Sequence, residues 1–158
     1  MQQLFASLLI ASLLSSAPLA RSGIPDDQFW EGLLIFDSSL SGNVWALTVY
    51  NSELIAGGDF ITAGGDTVNH IARWDGSNWH PLGLGMNGFV HALAVYQGEL
   101  IAGGSFTQAN RFEVNYIAAW DGINWRSIQS GMNQAVLSFG LYDNKLIVGG
   151  MFTTAGVV

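Results

Sequence analysis

The chain has 158 residues, 49% of them hydrophobic and only 11% charged, with a formal net charge of −7 and no cysteine. This is enough apolar chain for one cored domain and too hydrophobic for a disordered segment. Arg21, Arg73, Arg111, Arg126 and Lys145 are scattered singly, which excludes the clustered cations that nucleic acid requires. The missing cysteines exclude disulfides, thiolate nucleophiles and Cys-based zinc or iron–sulfur centres.

The first 22 residues read as a signal peptide. "LFASLLIASLLSSAPLA" (4–20) is uncharged, too short for a comfortable span, and followed by small residues Ala20 and Ser22, which suit cleavage before Gly23. The α-amine is the only positive charge ahead of it. The expected location is therefore secreted or cell-surface, with membrane contact only through this segment. Residues 23–43 read as a strand and linker, the tail of a preceding or closing unit with about three extra residues, because "DDQFW" (26–30) resembles "DGSNW" (75–79) and "DGINW" (121–125).

From Val44 the chain repeats. Residues 44–89 and 90–135 align without a gap at a spacing of 46, with 25 identical positions, and a partial third copy occupies 136–158. Each whole copy reads as four short strands. In the first these are "VWALTVY", "ELIAGGDF", "HIARW" and "WHPLG", with tight turns at "NS" and at "DGSN", where Asp, Gly and Asn tolerate left-handed dihedrals. Four antiparallel strands every forty-odd residues predict an all-β β-propeller of four-stranded blades, here two whole blades plus partial ones. A propeller closes with about 4–8 blades, so the ring is incomplete. The reading expects a piece of a longer protein whose further blades close it, with a self-assembling partial ring as the alternative.

The glycine doublets in "LIAGGDF" (54–60), "LIAGGSF" (100–106) and "LIVGGMF" (146–152) invite comparison with a phosphate-binding loop. They recur with the unit and no helix follows them, so they read as a backbone device: a bulge, or room for a close neighbour. An aromatic of the third strand or of the next blade, Trp74 or Trp120, is the expected neighbour.

These strands, the Gly-Gly at the end of the second and the paired tryptophans resemble the kelch-type β-propeller repeat family. "GGDFITAGGDTVNHIARWDGSNWHPLGLGMNGFVHALAV" is similar to repeats of secreted bacterial kelch-like proteins and of Rax2-like fungal polarity ectodomains. The tryptophan spacing is tighter than in ordinary kelch units. The resemblance implies shared blades rather than a shared active site.

Chemical motifs are sparse. Asp75-Gly76 and Asp121-Gly122 resemble sialidase Asp-boxes but read as turn formers, and the chain lacks the arginine cluster a sialidase uses. Galactose oxidase, a copper enzyme of related architecture, needs a cysteine that is absent here. His70, His80 and His91 have non-histidine counterparts in the other copies, so they read as surface or satisfied side chains, not metal ligands. Asp59 and Asp66 flank a loop that could suggest calcium, but their counterparts are Ser105 and Phe112, so no metal or other cofactor is expected. Asn87 and Asn133 in "GMN" read as turn residues.

Binding is the better-supported function. The connections 61–69, 107–115, 83–89 and 129–135 are expected on one face, and within it Asp66, Thr67, Arg111, Phe112 and Glu113 diverge between otherwise similar copies. They are the candidate ligand residues, for a protein or glycan. The reading is a non-catalytic binding or scaffold module. A carbohydrate-active hydrolase or lyase with its catalytic residues in further blades, and a purely structural spacer, stay open. Asp66 and Glu113 lie on corresponding loops but nothing in their spacing selects them as a catalytic pair.

Overall fold

The structure, a computed structural model, describes residues 39–156. The expected leader over 1–22 and the strand at 26–30 lie outside the described residues. Among the described residues every regular element is a β-strand, and no helix is long and apolar enough to cross a membrane.

The first copy is a meander. β1 (Val44–Tyr50), β2 (Glu53–Gly58), β5 (Ile71–Trp74) and β6 (Trp79–Pro81) lie side by side in that order, all antiparallel. The long connection between β2 and β5, read from the sequence as a loop, has structure of its own. It carries a small two-stranded ribbon, β3 (Thr62–Ala63) with β4 (Asp66–Thr67). The second copy repeats all of this: β7 (Val90–Tyr96), β8 (Glu99–Gly104), β11 (Ile117–Trp120) and β12 (Trp125–Ser127) form the sheet, and β9 (Gln108–Ala109) with β10 (Phe112–Glu113) the ribbon. The third copy contributes the hairpin β13 (Val136–Tyr142) and β14 (Lys145–Gly150).

Local chemistry explains the turns. Asn51-Ser52, Gln97-Gly98 and Asp143-Asn144 have positive φ at both central residues, the two-residue hairpin geometry whose twist matches the strands. At the next hairpin Asp75 accepts the amides of Ser77 and Asn78, both at 2.8 Å, and Asp121 accepts those of Ile123 and Asn124, both at 2.7 Å. These aspartates are turn formers, as read. The tryptophans flanking them face each other across the strands, Trp74 with Trp79 at 5.4 Å and Trp120 with Trp125 at 5.2 Å between ring centroids.

The glycine doublets do two different things. A Cβ on Gly57 would stand 2.5 Å from Val90 Cγ1, and one on Gly103 would stand 2.5 Å from Val136 Cγ1 and 2.7 Å from Phe139 Cζ. The first glycine of each doublet is thus a socket for the valine that opens the next copy. The neighbour is this aliphatic knob, not an indole of Trp74 or Trp120, because those rings are engaged with Trp79 and Trp125. A Cβ on the second glycine, Gly58 or Gly104, would collide with the backbone carbonyl of Asn43 or Phe89. There the partner strand bulges, leaving Trp45 and His91 out of register.

Copies are joined by apolar packing and by a polar staple. One core cluster runs across the boundary, from Ile55, Ile71 and Leu82 to Val90, Leu100, Phe106 and Trp125. The indole N–H of Trp125 donates to Leu82 O across the same boundary at 3.1 Å. Above the core, Asn87 Oδ1 accepts the amides of Thr107 (2.9 Å) and Gln108 (2.8 Å), and its Nδ2 donates to Thr107 Oγ1. Asn133 holds Thr153 and Thr154 in the same way, and Ser41 Oγ accepts from Ile61 and Thr62 at the equivalent place. Asn87 and Asn133 are therefore inter-copy staples rather than residues of their own turns. Isolated bridges from Leu40 to Ala63, Met86 to Ala109 and Met132 to Ala155 mark the same joint.

Two outcomes follow for stability. Gly103→Ala should destabilise by about 1–3 kcal/mol through overpacking, whereas Gly149→Ala, where a Cβ meets only the movable Ser138 Oγ, should change stability little; urea titrations of both variants compare them directly. Asn87→Ala should cost about 1–2 kcal/mol, in line with loss of a side-chain acceptor serving two amides, read from the same titrations.

Candidate functional site

The five residues singled out by loop divergence all sit at the ends of the small ribbons, and all are exposed. The ribbon turns are equivalent: Gly64-Gly65 in one copy and Asn110-Arg111 in the next, every residue at positive φ. Arg111, at φ 70°, occupies a conformation glycine adopts without penalty. The expected sharing of one face holds, because the two sets of connections are hydrogen-bonded to each other. Asn110 N donates to Gly85 O at 3.0 Å, Leu84 N to Asn110 Oδ1 at 2.6 Å, and Asn87 N to Gln108 O at 3.1 Å.

The structure nevertheless does not gather the five into one site. Asp66 borders an open cleft of about 400 Å³ with Trp74, Asn78 and His80. Arg111 borders a separate cleft of about 280 Å³, between copies, with Leu84, Asn87 and Gln108. Thr67, Phe112 and Glu113 line neither.

A different group of divergent positions does converge. The bulges re-aim Trp45 and His91, which stack with ring centroids 4.9 Å apart. Phe89 packs edge-on against Trp45 at 5.4 Å and against His70 at 5.5 Å. Trp45 and Phe89 remain exposed. Around them lie Ser105, whose Oγ is 2.8 Å from His91 Nε2, and Asp59, whose carboxylate accepts from the backbone and side chain of Asn43. At the next joint the positions corresponding to Phe89, His91 and Ser105 hold Ala135, Leu137 and Met151. The cluster is thus peculiar to the joint between the first and second copies. Sequence reasoning missed it by comparing only the connections between the second and third strands; the signal was there at 45 and 91, at the start of the first strand, and at 89, just before it.

The histidines differ from one another. His80 Nε2 lies 2.7 Å from Asp75 Oδ2 and is satisfied. His70 is not a surface residue: it is buried, and its Nδ1 has no hydrogen-bond partner. Burial pushes His70 below the usual imidazole range, opposed by the Asp59 backbone and carboxylate, and burial lowers His91 likewise. Hydrogen bonds from Asn43 hold Asp59 below the usual carboxylate range, and the amides of Asn124 and Ile123 do so for Asp121. The Asn78 amide, then His80 and the Ser77 amide, lower Asp75 to about 2.

Chemically, His91 and Ser105 form a hydrogen-bonded pair, but Asp59 is turned to Asn43, so a carboxylate that would orient the imidazole is engaged elsewhere. Among the described residues no group of three or more His, Asp or Glu side chains is placed to hold a metal ion. What the arrangement offers is an aromatic platform with a polar rim. No family model, curated protein or solved structure matches the chain.

The lowered imidazoles set a pH dependence. The unfolded chain takes up protons below the ordinary imidazole value of 6.5 before the folded one does, so stability present above that pH is lost as it falls. His70→Tyr, which copies the residue at Tyr116, should flatten the fall in denaturation midpoint between about pH 7 and about pH 5. A second fall, below the usual carboxylate value of 3.8, belongs to Asp59, Asp75 and Asp121 and should persist in that variant.

Proposed function

We propose that the chain is part of a kelch-type β-propeller that acts as a non-catalytic binding module, exported to the cell surface or beyond. The 46-residue period, the four-stranded meanders and their face-to-face packing support the propeller reading. In this reading further blades of the same protein complete the ring, and the inner strands β1, β7 and β13 line its axis.

One observation carries the binding role. Positions that repeat hold the copies together, while positions that depart from the repeat meet in space as Trp45, Phe89 and His91, with Asp59, His70 and Ser105 beside them. Exposed aromatic rings with a polar edge suit a flat, partly apolar ligand surface, either the face of a sugar ring or a side chain of a protein partner. A net charge of −7 disfavours polyanions. The engagement of Asp59 with Asn43 favours binding over a serine hydrolase built on Ser105 and His91.

Glycan and protein arrays probed with the wild-type chain, Trp45→Ala and the double variant Arg111→Ala, Phe112→Ala test this. Loss of about tenfold or more in affinity is expected for Trp45→Ala, the size of an aromatic anchor. A loss confined to the double variant moves the site to the ribbon tips. Binding unaffected in both variants, or turnover of a bound polysaccharide, overturns the proposal.

A further inference from the structure

The aromatic cluster lies at the joint between the first and second copies, where both halves of the contact belong to the chain itself. Four rings meet there: Trp45 on His91, and Phe89 against both Trp45 and His70. Beside them stands one carboxylate. Asp59 occupies, against the bulge that holds Trp45, the place that Ser105 occupies against the bulge that holds His91. It interacts electrostatically with His70, and hydrogen bonds from Asn43 hold it below the usual carboxylate range, so it is ionised at neutral pH. Among the described residues no Lys or Arg pairs with it; Arg73 and Arg126 are paired with Glu53 and Glu99, at the far ends of β2 and β8. The described connections on this face carry Asp59, Asp66 and Glu113 against a single fixed cation, Arg111.

Aromatic faces with a carboxylate at their edge complement a positive charge better than a neutral group. The rim suits a sugar less well, because Ser105 Oγ is engaged with His91 and both Asp59 oxygens already accept from Asn43. What the rim still offers is acceptor capacity, since each carboxylate oxygen keeps a second lone pair. A guanidinium, planar and furnished only with donors, uses both features: it stacks on an aromatic face while its N–H fork meets the carboxylate. We infer that the cluster seats an arginine side chain of a protein partner, its guanidinium against Trp45 and Phe89 and its N–H groups turned to Asp59. The inference rests on the binding reading above and names the ligand for it. A net charge of −7 favours the approach of a basic partner.

A blocked tripeptide, acetyl-Gly-Arg-Gly-amide, titrated into the isotope-labelled full chain tests it by NMR. The readout is the indole N–H resonance of Trp45, assigned by its absence in Trp45→Phe. A dissociation constant of about 1 mM or tighter is expected at low salt, where charge is least screened. The same tripeptide with citrulline, alike in shape but uncharged, should bind about tenfold more weakly or worse. Asp59→Ser, which copies Ser105 of the second copy, should weaken the arginine peptide by about fivefold and leave the citrulline peptide unchanged; a tryptophan fluorescence melt confirms the fold of this variant. Equal binding of the two peptides, or indifference of the arginine peptide to Asp59→Ser, overturns the inference and leaves the platform as a binding surface. So does an oligosaccharide retained on the glycan array that shifts the Trp45 resonance where the arginine peptide does not. If neither peptide nor any array ligand moves that resonance, the binding reading falls together with the inference.

Discussion

The contact on which the rest of this structure depends is a valine seated where a side chain is missing. Sheets packed through ordinary side chains stand about 10 Å apart. At Gly57 and Gly103 a valine methyl of the next copy stands 2.5 Å from where a Cβ would be, an approach that only glycine admits. The second glycine of each doublet then admits a carbonyl of the adjoining strand, which forces the register shift at Val44–Ala46 and Val90–Ala92. The residue left out of register, Trp45 or His91, is turned from the sheet and becomes available for another purpose. Packing, bulge and candidate site are consequences of one doublet.

Repeated and divergent positions divide the work. Val90, Phe106, Trp125 and Asn87 belong to positions that are identical or nearly so between copies, and each makes a contact that crosses or secures a joint. Asp59, His70, Phe89 and His91 vary between copies, and none is needed to form a joint. Their variation carries a cost where it buries an imidazole: His70 leaves Nδ1 without a partner, a position Tyr116 fills in the next copy. A buried polar atom without a partner is unfavourable, which makes its presence beside the aromatic cluster more informative than another exposed histidine would be.

Much of this was legible in the sequence. The strands, their antiparallel order and the turns could be read because alternation and turn chemistry act over a few residues, and because the chain states them more than once. The doublets were legible as backbone devices but not as valine sockets, since Gly57 and Val90 lie in different copies and no local pattern links them. The ribbons β3–β4 and β9–β10 escaped notice because two-residue strands are too short to show alternation. Asn87 looked like a turn residue for a similar reason: its acceptors serve amides twenty residues away. Trp45 and His91, the strand members of the cluster with Phe89, were hidden by an assumption that binding residues belong to loops. The bulge gives a strand residue the same freedom.

The third copy shows how far the joint alone can order a chain. Two strands in isolation are marginal in water, and β13 and β14 have no third strand among the described residues. Their outer side chains, Leu141, Tyr142 and Ile147, are exposed. The hairpin keeps its register because Val136 and Phe139 are seated on Gly103, Tyr96 Oη donates to Asn144 O, and Asn133 fastens Thr153 and Thr154. In a repeat array stability is a sum of each unit and its contact with the neighbour, and here the contact supplies what the sheet does not. A copy is therefore defined by the socket it fills as much as by its own strands, and the order of the array runs in one direction, from socket to knob.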